Sequence, residues 1–220
     1  MRIVTVSREF GSGGREVGKR LADRLNVAYY DKEIIGKIAE KVQMDAHYIE
    51  NVLERGYTQH YPYTFRRSFA FAPKPPSTYS TLLAEQAKII RELAAKEDCV
   101  IVGCGANILL QKEKPFNLFV YADMPAKIAR CRERASEHEH LSDRKLEQMI
   151  RKIDKDRASA YSLISGRVWG DRTDYHLCLN TTNMPIPMIV PHIAEYARLW
   201  FEQAGREGER HGYQLEGTSE

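Results

Sequence analysis

The run Glu9-Phe10-Gly11-Ser12-Gly13-Gly14 stands between a β-branched tetrad, Ile3-Val4-Thr5-Val6, and a stretch where Val17, Leu21 and Leu25 recur at four-residue spacing. A buried strand, a glycine turn and an amphipathic helix in that order admit few architectures. Glycines at such a turn let several backbone N–H groups converge on one spot. The start of the helix adds partial positive charge, so the segment is an anion nest suited to phosphates. The alternative is a flexible turn that binds nothing.

The rest of the chain repeats the strand–helix alternation. Val27 to Tyr30 is a short extended stretch, and Asp31 is placed to cap a helix holding Ile34, Ile35 and Ile38. Helical patterning continues roughly from Asp45 to Arg55. It then gives way, over residues 56–80, to an aperiodic segment rich in Tyr and Pro that also carries Arg66 and Arg67. A segment this long without periodicity is functional or mobile. Helix is expected again from Leu82 to Lys96, strand at Cys99 to Val102, and strand at Phe116 to Tyr121 with a helix from about Pro125. Within 142–165, Leu146, Ile150, Ile153, Ala160 and Ile164 trace a helical stripe. A last strand, Tyr175 to Leu179, precedes a helix with Ile189, Ile193, Tyr196 and Trp200 facing inward, and a disordered tail is expected from Gly205. Alternation of this kind predicts one α/β domain over residues 1–204, a parallel sheet covered on both faces, with ligands at the carboxyl ends of its strands.

Composition narrows the partners. A net charge of +3 makes no case for nucleic acid by itself, though arginines gathered on one face would suit a phosphate-rich ligand. Cys99, Cys104, Cys131 and Cys178 form no C-x-x-C pair, so reduced thiols are expected rather than zinc or disulfides. His138 and His140 lack the spacing of a helical metal pair, and no metal ligands are identifiable. No apolar run approaches the ~18–20 residues of a membrane span, and the N-terminus shows no signal-peptide pattern. A cytoplasmic protein is the expectation, with its oligomeric state left open.

The glycine turn departs from the phosphate-loop pattern G-x-x-x-x-G-K-[ST], whose lysine meets the β- and γ-phosphates and whose hydroxyl meets Mg²⁺. Aligning on Gly11 and Gly13 puts Gly14 at the lysine position; sliding by one puts Arg15 there, with Glu16 in place of the hydroxyl. Arginine supplies charge with a different reach, and a glutamate repels phosphate unless a metal intervenes.

Five segments, SREFGSGGREVGKRLADRL, YYDKEII, VIVGCGAN, DKDRASAYSLISGRVWG and YHLCLNTT, together resemble the cytidylate-kinase-like family of P-loop kinases. The resemblance runs in order from residue 1 to about 200. It implies a three-layer P-loop kinase fold: a five-stranded parallel sheet, a monophosphate-binding region and a helical, arginine-bearing lid, here 142–170. The implied reaction moves the ATP γ-phosphoryl group to a nucleoside monophosphate, with Mg²⁺. On that reading Gly11, Ser12, Gly13, Gly14, Arg15 and Glu16 hold the donor, and Thr181 and Thr182 lie near its adenine. Asp31 orients the acceptor, with Arg66, Arg67, Cys104 and Arg167 as further acceptor-side candidates. In relatives an arginine commonly stands where this chain has Cys104.

Phosphoryl transfer needs charge neutralisation above all, which makes Arg157 the first lid candidate and Arg151 the next. Each residue also has a plainer role. Asp31 could be a helix cap, Thr181 and Thr182 an ordinary polar turn, and the lid arginines a solvated face laced with ion pairs. Three functions stay open: a nucleoside-monophosphate kinase, a nucleotide-binding pseudokinase that has lost the chemistry, and a scaffold using the Tyr/Arg segment.

Overall fold

The computed structural model describes residues 1–46, 49, 77–103, 105–134 and 141–215. Five strands form one parallel sheet: β1 (Ile3–Arg8), β2 (Ala28–Tyr30), β3 (Cys99–Val102), β4 (Phe116–Tyr121) and β5 (Leu177–Asn180). Their order across the sheet is β2-β3-β1-β4-β5. Central β1 is buried along its whole length, flanked in register by β3 (Val4 opposite Val100) and β4 (Val6 opposite Leu118). A strand covered on both faces reads as a continuous apolar run, which is why Ile3 to Val6 was recognisable.

Side chains alternate between two cores, as the period of a strand requires. Val4, Val6, Val100, Val102, Leu118 and Val120 face α1 (Gly14–Leu25) and α7 (Ile186–Leu215). Ile3, Cys99 and Ile101 face α2 (Lys32–Val42) and α3 (Ser77–Lys96). Helix α1 enters through Gly13 at φ +82° and ends at Asn26 in the left-handed region, whose N–H returns to the Ala22 carbonyl. The turn of helix α4 (Ala106–Leu109) follows β3, while α5 (Met124–Arg134) and α6 (Asp143–Ser165) lie between β4 and β5. Among the described residues no helix is long and apolar enough to cross a membrane.

Several boundaries differ from expectation. Helix α3 begins at Ser77, inside the segment expected to be aperiodic, and the expected helix from Asp45 lies mostly outside the described residues. Strand β5 starts two residues late because Tyr175 closes the 3₁₀ turn Arg172–Asp174. Helix α7 continues to Leu215, so the tail expected to be unstructured from Gly205 is helical for most of its length. Tyr196 is exposed; Ala194 and Ala197 occupy the inner face of α7 and let it approach α1 and β4 closely.

Candidate functional site

The turn after β1 is built by two glycines with positive φ, Gly11 at +75° and Gly13 at +82°. Neither tolerates a side chain. A Cβ on Gly11 would sit 3.0 Å from the Lys127 carbonyl and 3.1 Å from its Cβ, and one on Gly13 would drive into Ile186. No partner exists among the described residues for the N–H groups of Gly11, Gly13 and Gly14. Orphan amides at the start of a helix, beside glycines with positive φ, form a nest for anions.

The nest opens into a cavity of about 700 Å³ between the loop, α5 and α6. Arg8, Arg15, Arg130, Arg132, Arg134 and Arg157 line it, with Leu146 and Met149 as an apolar wall. Such a volume is ordinary for a small-molecule site. Arg15 Nε lies 2.8 Å from Asp31, and Arg8 approaches the same carboxylate at 3.8 Å. Arg134 pairs with Glu16 at 2.9 Å, and Arg20 bonds the other oxygen of that carboxylate, so the glutamate in the hydroxyl position is neutralised from both sides. Arg132 pairs with Asp143.

Behind the nest the loop is gripped by Arg157 and by two residues that sequence patterning did not single out, Lys127 and Arg130. Lys127 on α5 is buried, with Nζ 2.6 Å from Glu9 Oε2 and 3.0 Å from Asp154 Oδ2. Asp154 Oδ1 accepts the Phe10 N–H at 2.6 Å, and Glu9 Oε2 also accepts the Ala122 N–H. One turn along α5, Arg130 donates to the carbonyls of Ser12 and Thr181. Arg157 is buried, donates to the Arg8 carbonyl at 3.2 Å and stands over the Phe10 ring.

A family model described as the cytidylate kinase-like family matches residues 3–183. The chain belongs to that family. No curated protein matches it in sequence. Among solved structures, an uncharacterized protein from Eubacterium ventriosum aligns at 24% identity with a TM-score of 0.66, over 90% of this chain and 99% of that one. The shikimate kinase from Bacteroides thetaiotaomicron aligns at 18% identity and a TM-score of 0.54, over 90% and 98% of the two chains. Shikimate kinase from Acinetobacter baumannii, in complex with shikimate, gives 14% and 0.51 over 89% and 92%. These likenesses establish the fold, that of a P-loop kinase.

Within that fold the expected residues divide. Gly11, Ser12, Gly13, Gly14, Arg15, Glu16, Asp31 and Arg157 gather at the carboxyl end of β1. Asp31 occupies the N-cap position of α2 but its side chain caps nothing; the carboxylate serves Arg15 and Tyr29 instead. That proximity and burial push the Tyr29 hydroxyl up to about 12, so it stays a neutral donor. Ser12 and Thr181 are fully buried. Ser12 Oγ donates to Glu9 O and Thr181 Oγ1 to Ser12 O, at 2.8 and 2.7 Å. Thr181 is therefore a latch under the loop rather than a ligand contact, and Thr182 Oγ1 accepts the Asp123 N–H.

Arg151 and Arg167 do not belong to this cavity. Arg151 points outward and pairs with Glu147 one turn earlier, and Arg167 pairs with Asp174 beside a different cavity. Arg66, Arg67 and Cys104 lie outside the described residues. Cys131, at the cavity wall, has its thiol pushed up chiefly by burial and is a packing group.

The residues fit the phosphates of a nucleotide, since partnerless amides of the glycine turn and several arginines border the same cavity. Among the described residues no group of three or more His, Cys, Asp or Glu could hold a metal ion, and Glu9, Asp31 and Asp154 each face a cation.

Proposed function

We propose that this chain is an ATP-dependent phosphotransferase of the nucleoside-monophosphate kinase type, with a cytidine monophosphate as acceptor. One observation carries the reading: six arginines surround a glycine nest at the carboxyl end of the central strand. The nest amides would hold the donor phosphates. Arg15 and Arg134 stand at the start of α1 and the end of α5, where they would neutralise charge in place of the missing loop lysine. Arg157 fixes the end of β1 and adds its own charge to the transferring group. Leu146 and Met149 offer a face for the donor base, and Asp31 would orient the acceptor. Membership of the cytidylate kinase-like family supports the acceptor class.

A second reading, nucleotide binding without turnover, draws on one specific feature. Lys127, the lysine that touches the loop, is enclosed by Glu9 and Asp154 and does not extend along it as a phosphate-loop lysine does. A coupled assay with ATP-Mg²⁺ and a panel of nucleoside monophosphates separates the two. Acceptor-dependent ADP release, lost in Arg157→Ala but kept in Lys19→Ala, is expected of the kinase. Tight ATP binding with no turnover on any acceptor would sink it.

A further inference from the structure

A phosphate nest works only if its amides are already aimed when the anion arrives, because ordering a loop on binding subtracts from affinity. A Gly-Ser-Gly-Gly turn is the least self-ordered backbone a chain can supply. Something outside the loop must hold it, and the contacts behind it show what does.

Lys127 bridges two carboxylates that reach the loop in different ways. Glu9 is part of the turn, 2.6 Å from Nζ, and also accepts the Ala122 N–H at the end of β4. Asp154 comes from α6, 3.0 Å from the same Nζ, and its other oxygen takes the Phe10 N–H. The backbone of Lys127 itself underlies Gly11, where a Cβ would stand only 3.0 Å from the Lys127 carbonyl. The lysine is 6% exposed and its two partners 26% and 15%. Low exposure strengthens charge-assisted hydrogen bonds and makes each of them costly to break.

We propose that Lys127 is the positioning residue of this site. It holds Asp154 and Glu9 so that Phe10 and Gly11 present the nest in its binding geometry, and thereby joins the lid helix α6 to the loop. Lys127 does not touch the phosphates; it acts through the two carboxylates. The device takes up one structural task of a loop lysine, fixing the turn, and leaves charge neutralisation to the arginines. The proposal rests on the phosphate-nest reading for its purpose, but not for its geometry.

Two measurements on the full chain keep those apart. Hydrogen exchange of the peptide covering residues 6–16 reports loop order without any ligand, and calorimetry with inorganic tripolyphosphate reports the nest. The variants are Lys127→Met, Lys127→Arg, Asp154→Ala and Asp154→Asn, with exposed Lys19→Ala as a control. Loop exchange about tenfold faster in Lys127→Met and Asp154→Ala, with the β3 and β4 amides unchanged, is expected. Tripolyphosphate affinity should fall by about tenfold in the same two variants, and recover most of the way in Lys127→Arg. Asp154→Asn keeps an acceptor for the Phe10 N–H and should fall between. If Lys127→Met does not fold, the Asp154 pair decides the matter. Wild-type loop exchange in folded Asp154→Ala overturns the proposal. Faster loop exchange in the variants, together with a wild-type protein that does not bind tripolyphosphate, would instead overturn the phosphate reading, and with it the purpose given to Lys127.

Discussion

Two cavities flank the middle of this molecule, and both contain arginine. In the smaller, about 420 Å³ between α4, the start of β4 and α7, the arginine is tied into a chain of side-chain hydrogen bonds. Arg167 pairs with Asp174, Asp174 accepts the Tyr161 hydroxyl at 3.0 Å, and Asn107 donates to that hydroxyl at 3.0 Å. His176 Nδ1 accepts the Asn117 N–H at 2.9 Å while its ring lies 3.9 Å from that of Trp200. In the larger cavity six arginines meet one lining glutamate, and the backbone beside them turns through two glycines with positive φ. Arginine alone therefore says little about function. Arginines gathered beside amides without partners are what support the phosphate reading of the larger cavity.

The sharpest way to break that contrast is to distort the turn that carries the nest. Gly13→Ala places a Cβ against Ile186 in a left-handed residue; it should cost about 1–3 kcal/mol in denaturant unfolding and abolish the ATP-induced rise in Tm. Gly166→Ala is its counterpart, with φ +67° but open space, and should cost about 1 kcal/mol while leaving ATP binding intact. Next comes a pair of arginines. Arg157→Ala should lower kcat by about 10³-fold, as loss of a transition-state arginine does. Arg167→Ala should change kcat less than about twofold, its pair with Asp174 being half exposed.

Smaller effects test the second cavity as plain structure. Tyr161→Phe removes the link between Asn107 and Asp174 and should cost about 1 kcal/mol in urea unfolding with kcat unchanged. The smallest concerns pH. Burial holds the His176 imidazole below its ordinary value, so the unfolded chain binds its proton more readily than the folded one. That contribution to stability is present above about pH 6.5 and is lost as pH falls through the folded value. Unfolding curves across this window should show the decline in wild type and a flatter profile in His176→Phe.

The same comparison explains what the sequence could and could not disclose. The sheet was readable because β1 and β3 are buried throughout and carry the β-branched runs Ile3 to Val6 and Val100 to Val102. The nest was readable because positive φ demands glycine at Gly11 and Gly13. Lys127 and Arg130 were not, since α5 carries charged residues throughout and nothing in its spacing says which of them turns inward. Their partners are 27 residues away for Asp154 and 118 for Ser12, distances that only the folded chain closes. Arg157 and Arg151 were ranked first and second as lid arginines, and the structure separates them. Six positions apart on a helix puts them on different faces, and only Arg157 faces the loop. The helical end of α7 was missed because charged, glycine-containing sequence reads as disorder although its glutamates and arginines are good helix formers.

The central claim is that the larger cavity holds a chain of phosphates against the glycine nest. Calorimetric titration of the full chain with ATP tests it most directly. One ATP per chain is expected, with affinity that weakens as salt rises, survives Arg167→Ala and disappears in Gly13→Ala. No binding of ATP to folded wild-type protein, or binding that persists unchanged in Gly13→Ala, would contradict it.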